Sequence, residues 1–135
     1  MPGTAAAEGE LIPLVLLKAH LHDVRLEVRG LPAGDDGRGA LTIWRIENME
    51  KTPYPKHLYG TFFGGDSFIL LYSYRRPNVR KEQHIIYFWQ GRDSSQDEKG
   101  AAALLAKDLD DEMGGDPMQV RVVQGKEPPH FRKIF

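Results

Sequence analysis

Tyr59-Gly60-Thr61-Phe62-Phe63-Gly64-Gly65-Asp66-Ser67-Phe68-Ile69-Leu70-Leu71-Tyr72-Ser73-Tyr74 carries the clearest structural signal in this chain. From Ser67 to Tyr74 the run is almost continuously apolar and aromatic, which predicts a strand covered on both faces. A glycine pair and Asp66 stand at its entrance. Downstream, His84 to Gln90 (HIIYFWQ) has the same character, and the charged stretch RRPNVRKEQ between the two reads as the turn of a hairpin. Upstream, Leu41 to Ile46 (LTIWRI) adds a strand, and Met118 to Val123 adds a last one.

At Ser95 the period changes. Ala101, Leu105, Leu109 and Met113 recur every fourth residue with Leu104 beside them, and Gly114-Gly115 closes the run. This predicts a helix of roughly 18 residues, about 27 Å long. The prolines of Glu127-Pro128-Pro129 suit the first turn of a short helix running through His130 to Phe135. A sheet covered by helices is the architecture these elements imply, an α/β chain of the α+β kind.

The chain has 135 residues, enough for one domain with a single core. Its formal net charge of -1 gives no global attraction to nucleic acid, and none is expected as a partner. Without cysteine there is no disulfide framework, thiolate metal cluster or cysteine nucleophile. No GxSxG, P-loop or HExxH motif is present, so an enzyme is not expected. The apolar run from Leu11 to Leu17 is short and broken by Pro13, and the chain reads as soluble and unexported. Residues 1–39 read as a leader and linker. The first ten are small and acidic, Val24, Leu26 and Val28 alternate like a strand, and LPAGDDGRG at Leu31 to Gly39 is a loop ending at a boundary near Ala40.

Four clusters have two readings each. Gly64, Gly65 and Asp66 suit a tight turn with a solvated carboxylate, or a glycine carbonyl and a carboxylate facing one ion. Ser95 and Glu98 have the spacing of a capping box, which competes with any role for Glu98 as a ligand. Asp110, Asp111 and Glu112 sit at the negative end of the helix dipole, either as a solvated acidic face or as a place for a cation. Ala103, Ala106 and Lys107 are grouped with Asp110 as one helix face. Arg75, Arg76, Arg80 and Lys81 form a basic hairpin tip, either a solvated turn or a contact for the phosphates of a lipid headgroup or nucleic acid. His20 and His22 lack partners at zinc spacing.

In series, IWRIEN (Ile43 to Asn48), YGTFFGGDSFILLYSY, IIYFWQG (Ile85 to Gly91), SQDE (Ser95 to Glu98) and VQGKEPPHF (Val123 to Phe131) resemble a repeat of the gelsolin/villin family over Ala40 to Phe135. Among the family's repeats the resemblance is greatest to the fourth. It implies a gelsolin-like fold, a central mixed sheet of about five strands between one long and one short helix. It further implies a calcium-regulated actin-binding module of a severing, capping or bundling protein, in the cytoplasm and cytoskeleton. The alternatives are a latch repeat packing on neighbouring repeats of the same chain, or a phosphoinositide-binding module. Carried over residue by residue, the resemblance assigns an internal Ca2+ site to the Gly65 carbonyl, Asp66 and Glu98. It assigns a site shared with actin to Asp110 and the carbonyls of Gly115 and Pro117. The actin-facing helix carries Asp97, Ala103, Ala106, Lys107 and Asp110. The last C-terminal segment of the family pattern, which supplies a further carbonyl, lies beyond Phe135.

Overall fold

The strand signals of the sequence resolve into one sheet in the computed structural model, which describes residues 11–13, 32 and 34–135. The first ten residues and the alternating stretch at 24–28 lie outside the described residues. β1 (Leu11–Pro13), β2 (Ala40–Glu47), β3 (Glu50–Pro53), β4 (Thr61–Phe63), β5 (Ser67–Tyr74), β6 (Gln83–Gln90) and β7 (Met118–Val123) are joined by α1 (Gln96–Glu112) and α2 (Pro129–Ile134). Five strands lie in the order β3-β2-β5-β6-β7, while β1 pairs separately with β4. The pairs β2/β3, β2/β5 and β5/β6 are antiparallel and β6/β7 is parallel. A parallel neighbour needs a long crossover, and α1 supplies it. The sheet is therefore mixed, with one long and one short helix. No helix among the described residues is long and apolar enough to cross a membrane.

β5 and β6 are apolar throughout because both faces of the sheet are covered. On one face Ile46, Ile69 and Ile86 pack against Ala102, Ala106 and Leu109 of α1. On the other, Phe62, Phe68, Tyr72, Tyr87 and Trp89 pack with Phe131 of α2. Rings there meet edge-on, as in Phe62–Phe68 at 4.9 Å between centroids, an arrangement their quadrupoles favour.

Three local devices fix the ends. Asn48 and Met49 turn β2 into β3 with φ of 50° and 63°, the left-handed pair that a two-residue hairpin requires. Gly114 and Gly115, at φ 76° and 78°, close α1. The Gly114 N–H bonds to the Asp111 carbonyl at 3.1 Å and the Gly115 N–H to the Asp110 carbonyl at 2.9 Å, a Schellman cap. Leu104, read from the sequence as part of the apolar stripe, points to solvent at 59% exposure. Ala102 and Ala106 take the contact with the sheet instead, because small side chains let α1 lie close to it.

The loop before β2 is bound to the repeat. Asp35 Oδ2 accepts hydrogen bonds from the Tyr72 hydroxyl and from Gly37 N–H at 3.0 Å, and lies 3.0 Å from His130 Nε2. His130 Nδ1 in turn lies 2.5 Å from the Tyr87 hydroxyl. Burial holds the His130 imidazole below its ordinary pKa, although the Asp35 hydrogen bond and charge pull the other way. The neutral ring with its proton on Nε2 satisfies both partners, donating to Asp35 and accepting from Tyr87.

Candidate functional site

Asp66 lies at the point where the β5 entrance, the β6 exit and the start of α1 converge. The carbonyl of Asp66 accepts from Gly91 N–H at 3.0 Å, and the carbonyl of Gly64 accepts from Asp93 N–H at 2.8 Å. A side chain at Gly91 has no room, since a Cβ would stand 2.2 Å from the Gly64 carbonyl oxygen and 2.6 Å from that of Asp66. Ser67 and Ser94 join their hydroxyls at 2.8 Å across the same junction. These contacts place the glycine-rich turn against the chain that leads into α1.

Asp66 is 2% exposed, and its Oδ2 has no hydrogen-bond partner. Arg45 Nη1 lies 3.9 Å from that oxygen, too far for a hydrogen bond but close enough for Coulombic attraction. Burial raises the Asp66 pKa, Arg45 draws it down, and the charges of Glu98 and Glu47 raise it, leaving it at about 6. A carboxylate so placed is short of positive charge.

Glu98 caps α1, and its charge is felt at Asp66. Ser95 Oγ accepts from the Glu98 N–H at 3.0 Å, and the Ser95 hydroxyl donates to Glu98 Oε1 at 3.1 Å. The capping box thus forms with one change from the expected pattern, because the Glu98 carboxylate takes the serine hydroxyl. Capping and an electrostatic effect on Asp66 coexist in one residue. Gly65 is half-buried beside Asp66 in the same turn. Among the described residues no three or more His, Cys, Asp or Glu side chains already form a metal cage.

At the far end of α1, Asp110 Oδ1 is buried without a hydrogen-bond partner, while Oδ2 accepts from Gln119 Nε2 at 2.7 Å. Gly115 is exposed and Pro117 buried on the turn that follows. The remaining acids are partly answered: Lys107 Nζ lies 2.8 Å from Asp111 and Lys81 Nζ 3.0 Å from Asp116. Lys81, grouped from the sequence with the basic tip, thus spends its charge on Asp116. Arg75, Arg76 and Arg80 are exposed, and Arg75 donates to the Arg80 carbonyl.

The helix face needs one correction. Asp97 and Lys107 are exposed, and Ala103 and Asp110 are partly so. Ala106, grouped with them from its spacing, is fully buried between α1 and the sheet. Its position around the helix falls on the sheet side of the boundary. Arg45 and Glu47 escaped sequence reading because they sit in β2, whose pattern signals only a strand. Glu127 escaped too, though it is fully buried and accepts from Trp89 Nε1 at 2.9 Å and Gly125 N–H at 3.0 Å.

The Gelsolin repeat family model matches residues 48–132, well over half of the chain. This chain belongs to the gelsolin repeat family. The repeat is 55% identical over 101 residues to Gelsolin of Xenopus laevis, covering 75% of this chain and 24% of that protein. Gelsolin of Gallus gallus is 50% identical over 117 residues, with 87% and 15% covered, and Advillin of Mus musculus is 46% identical over 101 residues, with 75% and 12%. The chain therefore spans a quarter or less of the length of each of these relatives. A chain in the crystal structure of the Thorarchaeota 2DGel3/rabbit actin complex shares the fold, with a TM-score of 0.51 and 23% identity over 70% of this chain and 42% of that one.

Proposed function

We propose that this gelsolin repeat is a calcium-responsive actin-binding module of a longer cytoplasmic, cytoskeletal protein, with Asp66 and Glu98 as its internal ion ligands. The observation that carries this reading is the orphaned, buried Oδ2 of Asp66 in a junction it shares with Glu98. Calcium takes six to eight oxygens at about 2.3 to 2.6 Å and accepts carboxylates and backbone carbonyls alike. The Gly65 carbonyl, the Asp66 carboxylate and the Glu98 carboxylate supply that donor set, and water completes it. Bound there, the ion supplies positive charge between two like-charged groups and ties the β5 entrance to the α1 start.

The buried Oδ1 of Asp110, next to the turn carrying Gly115 and Pro117, is the corresponding vacancy in hydrogen bonding at the other end of α1. Three protein oxygens are few for calcium, so a partner's carboxylate completes this second site. Asp97, Ala103 and Lys107 lie on the exposed side of the helix and offer the partner a surface. Ion and actin then bind cooperatively and reciprocally. The test is calcium titration by calorimetry with and without monomeric actin. Two binding events, the second appearing only with actin, support the reading. No calcium heat, or heat unchanged by Asp66→Asn with Glu98→Gln, overturns the internal site. Calcium binding without any actin effect favours a latch repeat that packs on its neighbours.

A further inference from the structure

We infer that Arg45 is an internal charge brake on the Asp66 site, a guanidinium that partly neutralises the buried carboxylate in the ion-free state and lowers the affinity for a divalent cation. The inference rests on the calcium reading above but concerns a residue outside that ligand set.

Its basis is the geometry of β2 beside β5. Arg45 stands opposite Phe68 in the sheet register, and Asp66 is the residue just before β5, two positions from Phe68. The turn that leads into β5 brings the Asp66 carboxylate up to the Arg45 guanidinium. Arg45 Nη1 stops 3.9 Å short of Asp66 Oδ2, while Nη2 hydrogen-bonds Glu47 Oε1 on its own strand. Glu47 thus parks the guanidinium beside the carboxylate without letting it close a hydrogen bond. Asp66 Oδ2 keeps no hydrogen-bond partner, and an ion bound to it lies within reach of a fixed positive charge. With Arg45 only 19% exposed, water screens that repulsion incompletely.

Two unlike outcomes separate this role from simple structural support. A strand residue that only packs would weaken ion binding when replaced, by loosening the junction. A brake strengthens it.

The experiment is calcium titration of the whole chain by calorimetry at fixed neutral pH, comparing the unmodified chain with Arg45→Gln, Arg45→Lys and Asp66→Asn. Arg45→Gln is expected to tighten calcium binding by about tenfold, equivalent to about 1.4 kcal/mol. Arg45→Lys, which keeps the charge, is expected to remain within about threefold of the unmodified chain and serves also where the glutamine variant does not fold. The inference is overturned if Arg45→Gln binds calcium equally or more weakly, or if Arg45→Lys tightens binding by tenfold. If Asp66→Asn leaves calcium affinity unchanged, the calcium reading fails and the brake fails with it. Loss of binding in Asp66→Asn alongside an unaffected Arg45→Gln refutes the brake alone.

Discussion

Asp35 and His130 are 95 positions apart in the chain and meet at 3.0 Å, joining the loop before the first long strand to the terminal helix. The contact makes that loop part of the repeat's buried polar network. Asp35→Ala leaves the Tyr72 hydroxyl and His130 Nε2 without their shared acceptor, and a buried polar group left unsatisfied costs about 1 to 3 kcal/mol. The unfolding midpoint in urea should fall accordingly, and a chain begun at Ala40 should show the same loss. The pH dependence has a definite sign. The folded His130 pKa lies below its ordinary value because of burial, so the stability it contributes is present above about pH 6.5 and declines as pH falls through that value. His130→Gln should flatten this part of the acid limb.

Asp66 titrates with the opposite consequence. Its folded pKa of about 6 lies above the ordinary 3.8, so the fold prefers the protonated acid. The penalty grows as pH rises above 3.8 and is complete above about 6. Without calcium, Asp66→Asn should therefore be more stable than the unmodified chain at neutral pH. The gap should widen by about 2 kcal/mol between about pH 4 and about pH 7, read from parallel denaturant titrations in a chelator. Calcium at 100 times its dissociation constant should stabilise the unmodified chain by about 2.7 kcal/mol at neutral pH. That gain should disappear in the variant and fade below about pH 6, where the proton competes for Asp66. A gain that persists in Asp66→Asn places the ion elsewhere.

How far these features could be read beforehand depends on what each one rests upon. β5 and β7 begin and end where the apolar runs do, since both are bounded by glycine, proline or charge. β3 and β4 carry no such signal. EKTP is polar and ends in proline, and TFF is three residues long; pairing with β2 and β1 makes them strands. Asp66 and Glu98 are paired as ligands only by family resemblance, because Ser95 and Glu98 spell a helix cap whatever else they do. Arg45 and Asp35 were invisible as functional or structural partners, since their roles come from strand register and long-range closure.

Gly91 is a steric requirement of the site. With carbonyl oxygens of Gly64 and Asp66 at 2.2 and 2.6 Å from any added Cβ, Gly91→Ala must push one backbone segment away from another. Backbone cannot swing aside as a side chain can, so the change should cost about 1 to 3 kcal/mol. It should also weaken calcium binding by displacing the Asp66 turn. Gly100, on the same helix as Glu98 and with open space around it, is the control. Gly100→Ala should leave calcium affinity unchanged and raise stability by about 0.5 to 1 kcal/mol through helix propensity.

Ala103 and Ala106 separate the packing of the long helix from its proposed contact with actin. Ala106 is fully buried against Ile46, Ile69 and Ile86, so Ala106→Leu forces a larger side chain into a filled space. Overpacking of that kind should cost about 1 to 3 kcal/mol, visible as a lower melting temperature with calcium affinity reduced only as far as folding is. Ala103 is partly exposed, three residues earlier. Ala103→Leu should change stability by no more than about 0.5 kcal/mol, yet it adds bulk to the side of α1 proposed to meet actin. Co-sedimentation with actin in calcium should therefore fall for Ala103→Leu while its melting curve stays in place. If actin binding is unchanged in that variant but lost when the basic tip at Arg75 and Arg76 is reversed in charge, the partner surface lies on the hairpin and not on the helix.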